Sequence, residues 1–343
     1  MPELRYDPLM KRWVIIATER AARPSDLTST AKYGHIQKCP FCEGNESFTP
    51  PEIMAVRDPH TQPNSPGWKV RVVPNKYPAL KTDATSKRMK DGLHERIDGK
   101  GAHEVIIESP KHNVDLTDLS NEEIKWVLSV YRQRIRALYK DSHLKYALLF
   151  KNHKKAAGAS LGHLHSQIIA TPIIPQNVKI KLTASQEYFK QNKNCLICDL
   201  IQQEIQNKKR IITKNNGFIA IAPYASHFPF EIFIAPLKHS HNFVDISDKD
   251  LERFSPFLKD ILLRIKLLLE DPPFNFVLHT SPNPDSKLKA PDKWESLPSA
   301  YHWHIDIIPR LIRIAGFEWG SGFYINPSTP ETAARYLRNI NLS

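Results

Sequence analysis

The chain has 343 residues, of which 41% are hydrophobic and 24% are charged, an ordinary composition for a soluble globular protein. It contains no run of about 18 apolar residues, so the sequence predicts no membrane span. The net charge of +12 suits a ligand that carries phosphates. Because the basic residues are dispersed rather than gathered into one block, they favour small phosphorylated ligands over nucleic acid.

The first residues read MPELRYDPLMKRW and carry charges where a secretory signal peptide needs an apolar core. The sequence therefore predicts a cytoplasmic protein. An extended segment is expected at residues 12–17, followed by a basic turn that contains Arg20 and Arg23.

All four cysteines fall in two Cys-x-x-Cys pairs. In an intracellular protein such pairs indicate metal or redox chemistry before structural disulfides. A thioredoxin-like motif would cap a helix in a βαβ unit, and neither pair is predicted to do so. Structural zinc takes four nitrogen or sulfur ligands, and each half also offers two suitably placed histidines. The two predicted zinc sites are Cys39, Cys42, His112 and His163 in the first half and Cys195, Cys198, His239 and His302 in the second.

Residues 81–101 are charged and lack apolar periodicity, which predicts a mobile loop. Ser120 and Glu123 then form a capping-box signature. Apolar residues at helical spacing follow from Ile124 to Leu138 and predict an amphipathic helix with one buried face. A strand is expected at residues 146–150.

The segment at residues 158–167 reads GASLGHLHSQ. Side chains alternate along a strand, so His163, His165 and Gln167 are expected on one face. The small residues before them, among them Ser160, would let a substrate approach the backbone closely. This layout is typical of an imidazole that meets a phosphorus centre.

Neutral imidazole is a competent nucleophile near pH 7, and its attack on a phosphoanhydride forms a phosphoramidate. His165 is the predicted nucleophile, because His163 is expected to bind zinc. Gln167 is expected to donate an amide N–H to a phosphoryl oxygen. Asn152 and Ser160 are close enough in sequence to supply further donors.

The parts of the first half recur in the same order in the second: a Cys-x-x-Cys pair, an amphipathic helix whose apolar stripe runs from Leu251 to Ile265, a strand at residues 274–279 and a His-x-His pair. This recurrence predicts an internal duplication with a unit of roughly 150 residues, the size of a domain. The expected domains are residues 1–180 and 181–343. The second His-x-His pair, His302 and His304, is followed by Asp306, whose carboxylate would repel a phosphoryl group. The chemistry is therefore predicted for the first half alone, and His304 either contributes to the metal site or packs.

The run from Phe150 to Gln167 resembles the active-site signature of the galactose-1-phosphate uridylyltransferases, the transferase branch of the histidine-triad superfamily. The resemblance extends from the segment at residues 5–9 to His302 and His304. It implies an α+β fold of two fused histidine-triad-like domains, each an antiparallel sheet with flanking helices, and a homodimer. It also implies a ping-pong mechanism with a nucleotidyl-histidine intermediate on His165.

The resemblance implies roles for four further residues. Arg20 and Arg23 match basic residues that reach the nucleotide of a neighbouring subunit. Asn75 matches a nucleoside contact, and Glu318 in a glycine-rich turn matches a contact to a hexose hydroxyl. Histidine-triad hydrolases carry a third histidine where this chain has Gln167, and an amide cannot shuttle a proton to water, so Gln167 indicates a transferase.

The sequence thus favours a hexose-1-phosphate uridylyltransferase that moves UMP from UDP-glucose to galactose 1-phosphate. An ADP-glucose phosphorylase or adenylyltransferase is the alternative, because Lys76 replaces an acidic residue of the uridylyltransferases and residues 317–324 resemble the ADP-glucose phosphorylase branch. That reaction would use inorganic phosphate or a sugar phosphate as acceptor. A zinc protein that binds nucleotides without turnover is a third, less favoured hypothesis.

Overall fold

The computed structural model describes residues 2–7, 12–16, 38–286, 294 and 296–342. In chain order the strands and helices are β1 (Glu3–Asp7), β2 (Arg12–Ile16), β3 (Met54–Arg57), β4 (Trp68–Pro74), β5 (Arg88–Asp91), β6 (His94–Asp98), β7 (Ala102–Ile107), α1 (Asn121–Leu138), β8 (Tyr146–His153), β9 (His165–Thr171), α2 (Gln176–Asn192), α3 (Leu196–Asn207), β10 (Ile211–Asn215), β11 (Phe218–Ile221), β12 (Ile232–Pro236), α4 (Asp248–Leu268), β13 (Phe274–His279), α5 (Leu297–Ala300), β14 (His304–Pro309), α6 (Gly316–Ser321) and α7 (Pro330–Arg338).

Ten strands form one antiparallel sheet in the order β10-β11-β12-β14-β13-β8-β9-β7-β4-β3. Each half of the chain contributes five strands, and they follow the same order from the outer edge inwards. The two sets join where β8 pairs with β13 and Asn152 lies opposite Asn275. The α+β fold with antiparallel sheets and flanking helices is confirmed. The sequence did not predict that the two sheets would merge edge to edge.

The helices α1 and α4 pack against each other and share one hydrophobic core with the ten-stranded sheet. The predicted capping box begins α1: the Ser120 hydroxyl accepts from the Glu123 N–H at 3.2 Å, and the Glu123 carboxylate accepts from the Ser120 N–H at 2.7 Å. At the start of α4 the Ser247 hydroxyl accepts from the Asp250 N–H and donates to the Asp250 carboxylate. The predicted apolar stripes of both helices are buried, which confirms them as core.

The prediction of a mobile loop at residues 81–101 is wrong. This segment contains the hairpin β5–β6, which joins β1 and β2 in a four-stranded sheet. Most side chains of the hairpin are not buried, so it lacks the apolar alternation that marks a strand in sequence. Backbone pairing holds it, and Ile97 anchors it against Leu4 in a small apolar cluster.

Two further elements bear on the sequence predictions. The expected boundary at residues 180 and 181 falls inside α2 and stays a prediction. The glycine-rich turn around Glu318 contains a short helix, α6. Within the described part of the chain, no helix is long and apolar enough to cross a membrane.

Candidate active site and metal centres

A cavity of about 810 Å³ opens on the face of the sheet formed by β4, β7, β8 and β9. This volume is in the range of small-molecule binding sites. Five of the predicted site residues line it together: His165, Gln167, Asn75, Asn152 and Ser160.

His165 is the first residue of β9 and is 6% exposed. Its Nδ1 lies 2.7 Å from the backbone oxygen of His163, so Nδ1–H donates to that carbonyl and Nε2 retains its lone pair. No described residue forms a hydrogen bond with Nε2. Burial lowers the pKa of His165 below its usual value, which keeps the ring neutral and nucleophilic.

The opposite face of the same strands carries a buried polar cluster. Lys151 donates to the Glu108 carboxylate at 2.5 Å and to the backbone oxygen of His165 at 2.9 Å. Tyr131 and Ser166 also hydrogen-bond to Glu108. The Lys151 ammonium therefore holds the backbone of His165 from behind the cavity.

Asn152 is positioned by the second half of the chain. Asn275 Nδ2 donates to Asn152 Oδ1 at 2.9 Å and to the backbone oxygen of Ala157 at 2.8 Å. The loop between β8 and β9 contains Gly158 at a φ of +97°, a conformation that favours glycine. Asn275 thus supports both an amide of the cavity and the loop beside it.

The first predicted metal centre brings its four residues together. The donor atoms of Cys39, Cys42, His112 and His163 all lie within 4.8 Å of one another. The Cys42 Sγ is 3.2 Å from the His112 Nδ1 and 3.7 Å from the His163 Nδ1. The His163 Nε2 lies 2.7 Å from the backbone oxygen of Ser109, an arrangement that leaves Nδ1 unprotonated and available to a metal ion.

The second predicted centre is also assembled. The Cys198 Sγ lies 3.3 Å from the His239 Nδ1 and 3.4 Å from the His302 Nδ1, and Cys195 completes the group. Cys195 is the N-cap residue of α3 but forms no side-chain cap hydrogen bond, and α3 follows the helix α2 rather than a strand. Two facing imidazoles give this cysteine pair the donors of a metal centre rather than those of a dithiol alone.

The structural counterpart of His165 in the second half is His304, the first residue of β14. Its Nδ1 also faces a backbone oxygen, that of His302, at 3.0 Å. Its Nε2, however, lies 3.0 Å from the ammonium of Lys181, which also contacts Asp306. This imidazole nitrogen is occupied by an internal partner, and that only the first half performs chemistry stays a prediction.

Of the three remaining predicted residues, two are not described by the structure and one does not line the cavity. Arg20 and Arg23 lie outside the described residues. The Glu318 carboxylate accepts a hydrogen bond from the Ala315 N–H at 3.1 Å and does not line the cavity. The roles predicted for these three residues stay predictions.

The cavity also contains residues that the sequence analysis did not select. His103 interrupts the apolar strand β7 and reaches the Gln167 side chain, and a buried histidine in such a strand is the one signal that could have found it. Lys38 and Lys76 add positive charge, while Phe48 and Tyr77 add aromatic rings. The lysines suit a diphosphate and the rings suit a nucleobase.

Two family models cover nearly the whole chain. Residues 1–175 match the N-terminal domain of galactose-1-phosphate uridyl transferase, and residues 181–341 match its C-terminal domain. The chain belongs to the galactose-1-phosphate uridyl transferase family.

Relatives within this family differ in the nucleotide sugar that their names report. The chain is 38% identical to an ADP-glucose phosphorylase of Arabidopsis thaliana, over 100% of this chain and 94% of that protein. It is 28% identical to a galactose-1-phosphate uridylyltransferase of Thermotoga maritima, over 100% of this chain and 99% of that protein.

Two solved structures match this chain over nearly its whole length. A crystal structure of an ADP-glucose phosphorylase from Arabidopsis thaliana with bound ADP-glucose matches with a TM-score of 0.76 and 36% identity, covering 100% of both chains. A structure of a uridylyltransferase matches with a TM-score of 0.78 and 27% identity, covering 98% of this chain and 97% of that one. Both relatives are nucleotidyltransferases by name or reaction, and this family member is an enzyme of that class.

Proposed function

We propose that the protein transfers a nucleotidyl group between a nucleotide sugar and a phosphate-bearing acceptor by way of His165. The observation that carries this proposal is the geometry of His165, whose Nδ1–H is held by the His163 carbonyl while its ring lines a large cavity. Nε2 attacks the α-phosphorus, an N–P bond forms, and the bond from that phosphorus to the bridging oxygen breaks. The sugar 1-phosphate leaves with the electron pair of that bond.

The second half-reaction reverses these bond changes with a new acceptor. A phosphate oxygen of the acceptor attacks the phosphorus, and the N–P bond to His165 breaks. The Gln167 amide N–H donates to a non-bridging phosphoryl oxygen in both steps, where negative charge develops. The hydrogen bond from Nδ1–H to the His163 carbonyl stabilises the positive charge that the ring acquires.

For the substrates we propose UDP-glucose as donor and galactose 1-phosphate as acceptor, the activity named for the family and for most of its relatives. ADP-glucose with inorganic phosphate as acceptor is the second candidate. It is favoured by the 38% identity to the Arabidopsis enzyme, compared with 28% for the uridylyltransferase of Thermotoga maritima. Asn75, Asn152 and Ser160 would bind the nucleotide sugar in either case.

We propose zinc as the metal of both centres, because two thiolates and two imidazoles form a complete tetrahedral set without an open position. Zinc at the first centre would hold His163, whose carbonyl orients His165. Neither ion takes part in a step of the reaction. We also propose that the domains divide near residues 180 and 181 and that the protein acts in the cytoplasm, on small phosphorylated molecules and not on nucleic acid.

We further propose a homodimer. Phe317, Trp319 and Phe323 are 58%, 76% and 72% exposed and lie together in sequence around Glu318. Exposed aromatic clusters of this kind mark interaction surfaces. A partner subunit would place Glu318, together with Arg20 and Arg23, near a nucleotide sugar. Sedimentation of the Trp319→Ser variant tests this: a monomer is expected, whereas an unchanged dimer would contradict the use of this segment.

The test of the function is intact-protein mass spectrometry after mixing with UDP-glucose or with ADP-glucose, in the absence of acceptor. We expect a gain of one UMP or one AMP, which identifies the donor. His165→Ala should abolish the gain, whereas His304→Ala, the matched change in the second half, should retain it. Absence of an adduct from both donors would favour a binding protein without turnover.

A further inference from the structure

The side-chain amide of Gln167 has one acceptor end and one donor end, and only the donor end can stabilise a phosphoryl oxygen. If the carbonyl end faced the substrate, it would repel the same oxygen. The proposed chemistry therefore depends on what fixes the orientation of this amide.

His103 determines that orientation, and the backbone N–H of Ala79 shows which of its ring nitrogens carries the proton. The side chain of His103 is 4% exposed, and its Nδ1 lies 3.0 Å from the backbone nitrogen of Ala79. A backbone N–H can only donate, so Nδ1 is the acceptor and carries no proton. The neutral ring then has its proton on Nε2.

The protonated Nε2 of His103 lies 2.8 Å from Oε1 of Gln167. The Asn75 Nδ2 approaches the same oxygen at 3.3 Å and lies 3.2 Å from the His103 Nε2, as expected for two donors that converge on one acceptor. Both contacts require oxygen, not nitrogen, at this end of Gln167. Its NH₂ group is thereby left for the cavity.

We propose that His103 is a positioning residue that orients the Gln167 amide so that its NH₂ group faces the transferred phosphoryl group, and that Asn75 supports it. The chain of hydrogen bonds runs from the Ala79 N–H through the imidazole to the amide. This inference rests on the proposed function for its kinetic consequence. It also gives Asn75 a role besides the predicted contact with a nucleoside.

The same geometry excludes a general-base role for His103. Its Nδ1 lone pair accepts from the Ala79 N–H and its Nε2 proton is donated to Gln167. A second proton on the ring would set Nδ1–H against the Ala79 N–H. His103 therefore acts through Gln167 and exchanges no proton with substrate.

The kinetic test compares His103→Phe, which keeps a ring without a donor, with His103→Gln, whose amide can donate to Gln167. The rate of nucleotidyl adduct formation is measured by rapid quench and mass spectrometry over a range of donor concentrations. We expect His103→Phe to slow this step about 10- to 100-fold, with little change in the dissociation constant of the donor, since one oriented transition-state donor is lost. His103→Gln should recover most of the rate.

A double-mutant cycle with Gln167→Ala isolates the positioning role. If His103 acts through Gln167, His103→Phe causes no further loss in the Gln167→Ala background. An equal loss in both backgrounds would overturn the proposal, as would equal rates for His103→Phe and His103→Gln.

A second measurement does not depend on turnover. Nitrogen-15 NMR of histidine-labelled protein, assigned by comparison with His103→Gln, should show the tautomer with the proton on Nε2. A proton on Nδ1 would overturn the proposed orientation. If the wild type forms no adduct with either donor, the proposed function fails, and the tautomer still decides the orientation of Gln167.

Discussion

Lys181 places its ammonium nitrogen 3.0 Å from Nε2 of His304, the nitrogen whose counterpart in His165 belongs to the cavity. The same ammonium lies 2.7 Å from Asp306, which in turn is 3.2 Å from the His279 Nε2. One cation thus contacts two members, His304 and Asp306, of a group of three whose donor atoms lie close enough to hold a metal ion. Beside His304 the second half has an internal ion pair, whereas beside His165 the first half has the cavity.

Removal of this ammonium should make His279, His304 and Asp306 available to a metal. We expect Lys181→Ala, produced with added zinc, to hold one zinc ion per chain more than the wild type, because two imidazoles and a carboxylate are suitable zinc ligands. Plasma mass spectrometry of the dialysed protein measures this. Lys181→Arg keeps a cation at the site and should match the wild type; equal zinc in Lys181→Ala and the wild type would contradict the prediction.

The buried ion pair of Lys151 and Glu108 should stabilise the fold only while both charged side chains are present. Their side chains are 3% and 0% exposed, so Lys151→Met leaves a buried carboxylate without its counter-charge. We expect a loss of about 3–5 kcal/mol in the free energy of unfolding, measured by urea denaturation. The double variant Lys151→Met, Glu108→Leu should recover part of this loss. A neutral effect of Lys151→Met would show that the carboxylate accepts a proton at no cost.

Asn275 should affect the chemistry although it belongs to the second half. Without its amide, Asn152 and the Ala157 carbonyl lose their shared donor. We expect Asn275→Ala to slow adduct formation on His165 about 10-fold, since small misplacements of binding groups are costly in rate. The exposed Asn207→Ala is the control and should not change the rate. If Asn275→Ala reacts as fast as the control, Asn152 does not depend on this contact.

The two metal centres should differ in their effect on catalysis. Cys42→Ser and Cys198→Ser are each expected to lower the zinc content by one ion per chain, because each removes one of four ligands. Cys42→Ser should also slow adduct formation strongly, because His163 belongs to the proposed metal centre and its backbone oxygen accepts from the Nδ1–H of His165. Cys198→Ser should retain a rate much closer to that of the wild type. Equal losses of rate would place the second centre in the catalytic machinery.

Local sequence patterns were sufficient where one element contains the whole signal. The capping box at Ser120, the buried stripes of α1 and α4, and the strand at Phe274–His279 follow from spacing alone. The hairpin β5–β6 could not be predicted from a local pattern, because its pairing with β1 depends on backbone hydrogen bonds with a strand distant in the chain. Its exposed side chains carry no period-2 pattern.

The amino-acid sequence by itself determined the duplication and, through it, both sets of cysteine and histidine donors, because the same residue types recur in the same order in both halves. It also placed His165 and Gln167 on one face of a strand, because their short spacing is visible in a single chain. Only the tertiary structure decided that His165 lines the cavity while Nε2 of its counterpart His304 contacts Lys181. Lys181 is 123 residues from His304, Asn275 is 123 residues from Asn152, and His103 is 64 residues from Gln167. Spacing cannot report such contacts, because they arise when strands and helices far apart in the chain become neighbours in the fold.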